Sequence, residues 1–201
     1  MKLKVCGMRE KENIEELLQL EPDFIGFIFY AKSPRFVENF EIPDVPTETK
    51  KVGVFVNEDE SVILDCVEKY GLDYVQLHGN EPVELAESIK QKGVGVIKVF
   101  GVMDALPSAE IRPYEDAVDY FLFDTKTPAH GGSGQKFDWS ILKSYDSTKP
   151  FFLSGGIDVS DIEEIKKMNI EKLEVIDVNS RFEIAPGLKN IERVKALKSK
   201  L

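Results

Sequence analysis

The chain has 201 residues, 42% of them hydrophobic, which is enough apolar material for the core of one domain spanning residues 1–201. A formal net charge of −10 argues against a general nucleic-acid binder, which needs a basic footprint. The longest uncharged apolar run, Phe24 to Ala31, falls far short of the roughly 20 residues of a membrane span. The stretch from Met1 to Glu16 is charged throughout, unlike a signal peptide. The two cysteines, Cys6 and Cys66, share no motif and fit a reducing compartment, so a cytoplasmic protein is expected.

Strand-like runs recur in chain order at Leu3–Cys6, Phe24–Phe29, Lys51–Val56, Tyr74–Leu77, Val96–Phe100, Tyr120–Asp124, Pro150–Ser154 and Leu173–Val178. Most are continuous apolar stretches, the pattern of parallel strands covered on both faces. Helical stripes lie between several of them. Ile14, Leu17 and Leu18 form the first; Val62, Ile63, Cys66 and Val67 precede Gly71; Pro82 opens a helix that Gly93 ends. Ser160 and Glu163 have capping-box spacing, and Asn190 is placed to cap the last helix. Such alternation predicts a single (β/α)8 barrel, the TIM barrel. Prolines 34, 43 and 46 in the second connection, and 107 and 113 in the fifth, leave those two helices short or missing. The barrel is therefore a trimmed one, near the lower size limit of about 200 residues.

In such a barrel the strand C-termini form the mouth where chemistry is done. Cys6 ends the first strand. Taken alone it reads first as a small buried hydrophobe, and second as a base or nucleophile requiring activation. Asp124 ends the sixth strand among apolar neighbours, either exposed or as an acid whose pKa desolvation raises. Arg35, after Pro34, has the planar fork that grips a carboxylate, although a surface arginine is the default. Gly155 and Gly156 follow the seventh strand; Asp177, Asn179 and Ser180 end the eighth. Loops after those two strands commonly hold phosphate in this fold. Gln76 and His78 end the fourth strand, and a structural histidine is as natural there as a functional one. The glycine-rich stretch from Thr125 to Gly134 reads as a solvated connection or as a cover over the site. His78 and His130 are the only histidines, so no multi-histidine metal site is expected.

Together Lys4-Val5-Cys6-Gly7, Lys32-Ser33-Pro34-Arg35, Gln76-Leu77-His78-Gly79, Gly131-Gly132-Ser133-Gly134 with Phe137-Asp138-Trp139, Leu153-Ser154-Gly155-Gly156 and Ala185-Pro186-Gly187 resemble the N-(5′-phosphoribosyl)anthranilate isomerases. The resemblance runs in order from residue 2 to about residue 198. It implies an Amadori rearrangement in tryptophan biosynthesis, with Asp124 as general acid and Cys6 as general base. It further implies that Arg35 binds the anthranilate carboxylate and that Gly155, Gly156, Asn179 and Ser180 hold the phosphate, with Gln76, His78 and Asp177 as secondary candidates. No cofactor, metal, nucleic acid or membrane is expected, only a phosphorylated small-molecule substrate, in a monomer or homodimer. The chain departs from the family at Val178-Asn179-Ser180-Arg181-Phe182-Glu183, where Arg181 stands in place of a glycine. The alternative is a phosphosugar-binding barrel that is non-catalytic or differently specific.

Overall fold

In the computed structural model, which describes residues 1–125 and 136–201, eight parallel strands pair in chain order and close into a barrel. They are β1 (Lys2–Val5), β2 (Phe24–Ile28), β3 (Lys50–Phe55), β4 (Tyr74–Leu77), β5 (Gly95–Val102), β6 (Tyr120–Thr125), β7 (Phe151–Leu153) and β8 (Leu173–Val178). Closure is made by β1 and β8, with Lys4 opposite Asp177 and Val5 opposite Val178. The expected strands are all present, with ends moved by one or two residues, the scatter usual for terminal residues.

The helices are α1 (Lys11–Leu18), α2 (Glu60–Tyr70), α3 (Val83–Gln91), α4 (Ser108–Ile111), α5 (Ile162–Met168) and α6 (Ile191–Lys198). No helix joins β2 to β3, and the β5–β6 connection holds only α4 and a 3-10 turn at Arg112–Tyr114. The prolines account for both: each lacks an N–H and restricts the residue before it. Gly71 ends α2 in the left-handed conformation, at φ 59°. The cap at the α5 end differs from the expected Ser160–Glu163 pair. Asp158 accepts from Val159 N–H at 2.6 Å, and Asp161 accepts from Asp158 N–H at 2.6 Å. The cap thus sits two residues earlier, because the shorter aspartates close a 3-10 turn at Val159–Asp161 before the helix begins. A hairpin of β9 (Glu183–Ala185) and β10 (Leu188–Lys189) turns at Pro186-Gly187 between β8 and α6.

Alternate side chains of each strand point to opposite faces. One parity, including Leu3, Val5, Ile25, Phe27, Phe121, Phe123 and Ile176, packs outward in the larger core cluster. The other fills the lumen: Phe24, Val52, Ile97, Val99, Leu122, Phe152 and Val175 form a separate cluster. Phe24 and Phe152 meet edge to face, with centroids 5.1 Å apart. Continuing each lumen-facing series towards the strand C-terminus changes its chemistry. Leu122 leads to Asp124, Phe152 to Ser154, Val175 to Asp177, Tyr74 to Gln76 and His78, and Lys4 to Cys6. The lumen is thus greasy at its base and polar at its mouth.

Candidate active site

The mouth is lined by Cys6, Arg35, Gln76, His78, Asp124, Ser154, Gly155, Gly156, Asp177, Asn179, Ser180 and Arg181, among others. Every residue singled out in the sequence as a site candidate therefore reaches the same cleft. The stretch from Lys126 to Gly134, read as a cover, lies outside the described residues.

Cys6 is 4% exposed, at the top of the lumen-facing series of β1. Its sulfur occupies room that Gly26 leaves on the neighbouring strand: a Cβ there would lie 2.8 Å from Cys6 Sγ and 3.1 Å from its Cα. Burial pushes the thiol above its ordinary value; the Lys4 and Lys189 charges pull it back and Asp177 pushes it further up.

Asp124 is 8% exposed. Its Oδ1 accepts from the Thr125 N–H at 2.8 Å, and its Oδ2 lies 3.7 Å from His78 Nε2. Gln76 Nε2 stands 3.3 Å from the other ring nitrogen of His78. Loss of solvent and the nearby Asp177 carboxylate raise the Asp124 pKa to about 6, against the pull of the Thr125 N–H and Lys4. Gly155, at φ 92°, packs against this group; a Cβ would meet Thr125 Oγ1 at 2.4 Å and Asp124 Oδ1 at 3.0 Å. A carboxyl with that pKa donates a proton near neutrality.

Arg35 is held before any ligand arrives. Its Nε and Nη2 donate to the two oxygens of Glu183 at 2.8 and 2.7 Å, a bidentate pair at the base of the hairpin. Glu183 also accepts from Lys189 Nζ at 2.6 Å and Gly187 N–H at 3.1 Å. Lys189 in turn donates to Asn179 Oδ1 at 2.7 Å. Asn13 fixes the Lys189 backbone on both sides, at 2.6 and 3.0 Å. Burial lowers the Lys189 pKa to about 8, with Glu183 resisting. Asp177 receives Lys4 Nζ at 3.0 Å, so its negative charge is committed to a cation beneath the mouth. Arg181 Nη1 lies 3.7 Å from Asp158 Oδ2, which Arg193 also holds at 2.7 Å. Among the described residues, no three His, Cys, Asp or Glu side chains converge as metal ligands.

The family model described as N-(5′phosphoribosyl)anthranilate (PRA) isomerase matches residues 3–200. The chain belongs to this family. A curated N-(5′-phosphoribosyl)anthranilate isomerase from Parabacteroides distasonis is 46% identical over 200 residues, covering 97% of this chain and 90% of that protein. The crystal structure of the phosphoribosyl anthranilate isomerase of Thermotoga maritima superposes with a TM-score of 0.83 at 32% identity, covering 100% of this chain and 98% of that one. Another phosphoribosyl anthranilate isomerase was solved in complex with reduced 1-(o-carboxyphenylamino)-1-deoxyribulose 5-phosphate; it is 28% identical, with a TM-score of 0.81, over 100% of this chain and 97% of that one.

Within this member of the phosphoribosylanthranilate isomerase family, four residues that support the mouth from behind its lining escape a reading of strand ends alone. Lys4 lies inside β1 rather than at its end, yet it has the parity of Cys6 and so points into the lumen. Glu183, Lys189 and Asn13 come from the hairpin and from α1. The Pro186-Gly187 turn signal marks the hairpin, but nothing local shows that its acid reaches back to Arg35, 148 positions earlier.

Proposed function

We propose that Asp124 and Cys6 divide the proton transfers of the family's reaction between them. The chain is an isomerase of tryptophan biosynthesis: it carries N-(5′-phosphoribosyl)anthranilate to 1-(2-carboxyphenylamino)-1-deoxyribulose 5-phosphate. Asp124 protonates the ribose ring oxygen, the C1–O bond breaks, and the nitrogen lone pair forms an iminium. The iminium acidifies the C2–H, and the Cys6 thiolate takes that proton to leave an enolamine. Tautomerisation of the enolamine yields the ketone. Every atom is retained and no oxidant or reductant is needed. Supporting this reading above all is the placement of a carboxyl raised to about 6 and a thiol at one mouth, on β6 and β1.

Arg35 clamps the anthranilate carboxylate through the guanidinium N–H groups that Glu183 leaves unused. The phosphate takes the backbone around Gly155 and Gly156 and around Asn179 and Ser180, where glycines at φ 92° and 63° admit close approach. Gln76 and His78 orient the acid, and Asp177 acts through Lys4. The site lies in one barrel spanning residues 1–201, and the free thiols suit a cytoplasmic enzyme.

The test follows anthranilate fluorescence as freshly generated substrate is consumed. Asp124→Asn and Cys6→Ala each lower kcat by roughly 10²–10⁴ or more with the fold retained. An unchanged rate in either variant removes that residue from its role. Arg35→Ala raises KM chiefly; a loss confined to kcat argues against a carboxylate clamp.

A further inference from the structure

The barrel interior holds one ion pair that the proton transfers do not consume. Lys4 is fully buried, and Asp177 is 5% exposed; their Nζ and Oδ1 are 3.0 Å apart. Stranding two charges in a lumen costs several kcal/mol per ion before their attraction is counted. The seven apolar residues of the inner cluster show that this lumen is otherwise filled with hydrocarbon. The pair is therefore an expensive substitute for two more apolar side chains, and packing alone gives no reason for it.

Its placement does. Lys4 and Cys6 are two residues apart on β1, so both point into the lumen with the ammonium one step below the sulfur. Asp177 is the register partner of Lys4 on β8 and holds the ammonium from the side. The ammonium donates to Asp177 Oδ1, and the Cys6 thiol lies within its electrostatic reach. Gly26 on β2 leaves the room that the sulfur fills on the other side, where a Cβ would lie 2.8 Å from it.

We propose that Lys4 is a positioning residue for the base: Asp177 seats its ammonium under Cys6, where it is the counter-cation of the thiolate and sets the pH at which the sulfur accepts a proton. This rests on the reading of Cys6 as the base.

The charged groups facing the sulfur come from four elements. Lys4 stands on β1, Asp177 on β8, Lys189 on β10, and Asp124 across the mouth on β6. Glu183 neutralises Lys189 at 2.6 Å. Asp177 is itself an anion near the sulfur, but Lys4 acts on the thiol more strongly than Asp177 does. Removing both members of the pair together therefore still disfavours the thiolate.

The experiment titrates the thiolate by its ultraviolet absorbance in the full chain carrying Cys66→Ala, taken as the difference from the same protein with Cys6→Ala. Lys4→Met raises the Cys6 midpoint by at least about one pH unit, and the kcat/KM plateau falls about tenfold or more. Lys4→Arg keeps the charge at every accessible pH and leaves the midpoint within about half a unit. A merely structural lysine gives the reverse ranking, since the bulkier arginine disturbs packing more than methionine does. If Lys4→Met strands Asp177 and does not fold, Lys4→Met with Asp177→Leu leaves no buried charge alone, and it shows a smaller shift in the same upward direction, because the anion that opposes the thiolate is gone as well. A midpoint unmoved in Lys4→Met, or in that double variant, overturns the proposal. The titration reads the thiol without catalysis. Full activity in Cys6→Ala would thus defeat the base assignment separately, whatever Lys4 does to the midpoint.

Discussion

On the roles proposed above, the acid and the base carry pKa values in the opposite order from the one the reaction favours, and this predicts the shape of the pH–rate profile. The acid, Asp124, is raised to about 6, while burial pushes the base, Cys6, above its ordinary value. The working state needs Asp124 protonated and Cys6 ionised. Between the two midpoints most molecules hold the single proton on sulfur instead. With the thiol raised and the acid at about 6, the competent arrangement is a small minority of the singly protonated enzyme. Each unit by which the thiol lies above the acid adds about 1.4 kcal/mol to the apparent barrier.

The total of singly protonated enzyme nevertheless stays constant between the midpoints. Free-enzyme kcat/KM is therefore flat from about pH 6 up to the midpoint of the thiol, and falls tenfold per unit outside those limits. Stopped-flow fluorescence across pH 5–10 checks the shape. Carbon-13 NMR of labelled aspartate assigns the lower limb to Asp124, a necessary step because a phosphate monoester also titrates near pH 6. A kcat/KM that falls tenfold per unit between about pH 6 and 8 refutes the reasoning, since it requires a thiol already ionised below the acid's midpoint.

Three further outcomes follow from the same contacts. A carboxyl at about 6 in the folded chain and about 3.9 in the unfolded one makes Asp124 a burden above both values and neutral below them; Asp124→Asn should add about 3 kcal/mol to unfolding stability at pH 7, the gain growing between about pH 4 and 6 and vanishing below, as denaturant titrations at several pH values will show. Glu183→Gln loosens Arg35 and strands Lys189; KM should rise about tenfold or more with kcat nearly kept, while stability drops by about 3–5 kcal/mol, and an unchanged KM would dissociate the hairpin from substrate binding. Gly26→Ala drives a methyl into Cys6 and should cost about 1–3 kcal/mol; the loss should shrink when Cys6 is also alanine, and a strictly additive double variant would place the strain elsewhere.

How far the chain itself revealed this depends on which signal is local. The eight strands were legible because each is a short apolar run bounded by turn residues, and parallel strands covered on both faces must look like that. The same covering hides parity. In a continuous run such as Phe121-Leu122-Phe123 nothing announces that Leu122 faces the lumen while its neighbours face the helices. Lys4 is hidden in the same way, although counting back two from Cys6 places it on the same face of β1. The missing second helix and poor fifth one were legible because proline acts on its own backbone. The cap at the α5 end sits two residues before the Ser160–Glu163 pair, because Asp158 and Asp161 make an equivalent box one 3-10 turn earlier and Arg193, from α6, adds to the hold on Asp158. The Arg35–Glu183 clamp was not legible at all. It depends on the hairpin folding back across β1, a contact that no spacing encodes.

The acidity of the chain raises a question of its own. A protein of net charge −10 takes a substrate with a phosphate at one end and a carboxylate at the other. Most cations at or beneath the mouth are committed to acids, although the exposed Lys32 also lines it: Lys4 is neutralised by Asp177, Lys189 and Arg35 share Glu183, and Arg181 leans on Asp158. Pairing lowers the long-range pull of each cation, yet each acid also fixes its partner's direction. Arg35, its inner donors occupied by Glu183, is already fixed in direction, so in the proposed role of carboxylate clamp it has little side-chain entropy left to lose on binding. In the same proposal the phosphate meets uncharged donors on backbone that glycines open. Recognition of anions by this barrel therefore comes from fixed geometry at short range rather than from the field of the whole molecule, which in water is screened within about 8–10 Å.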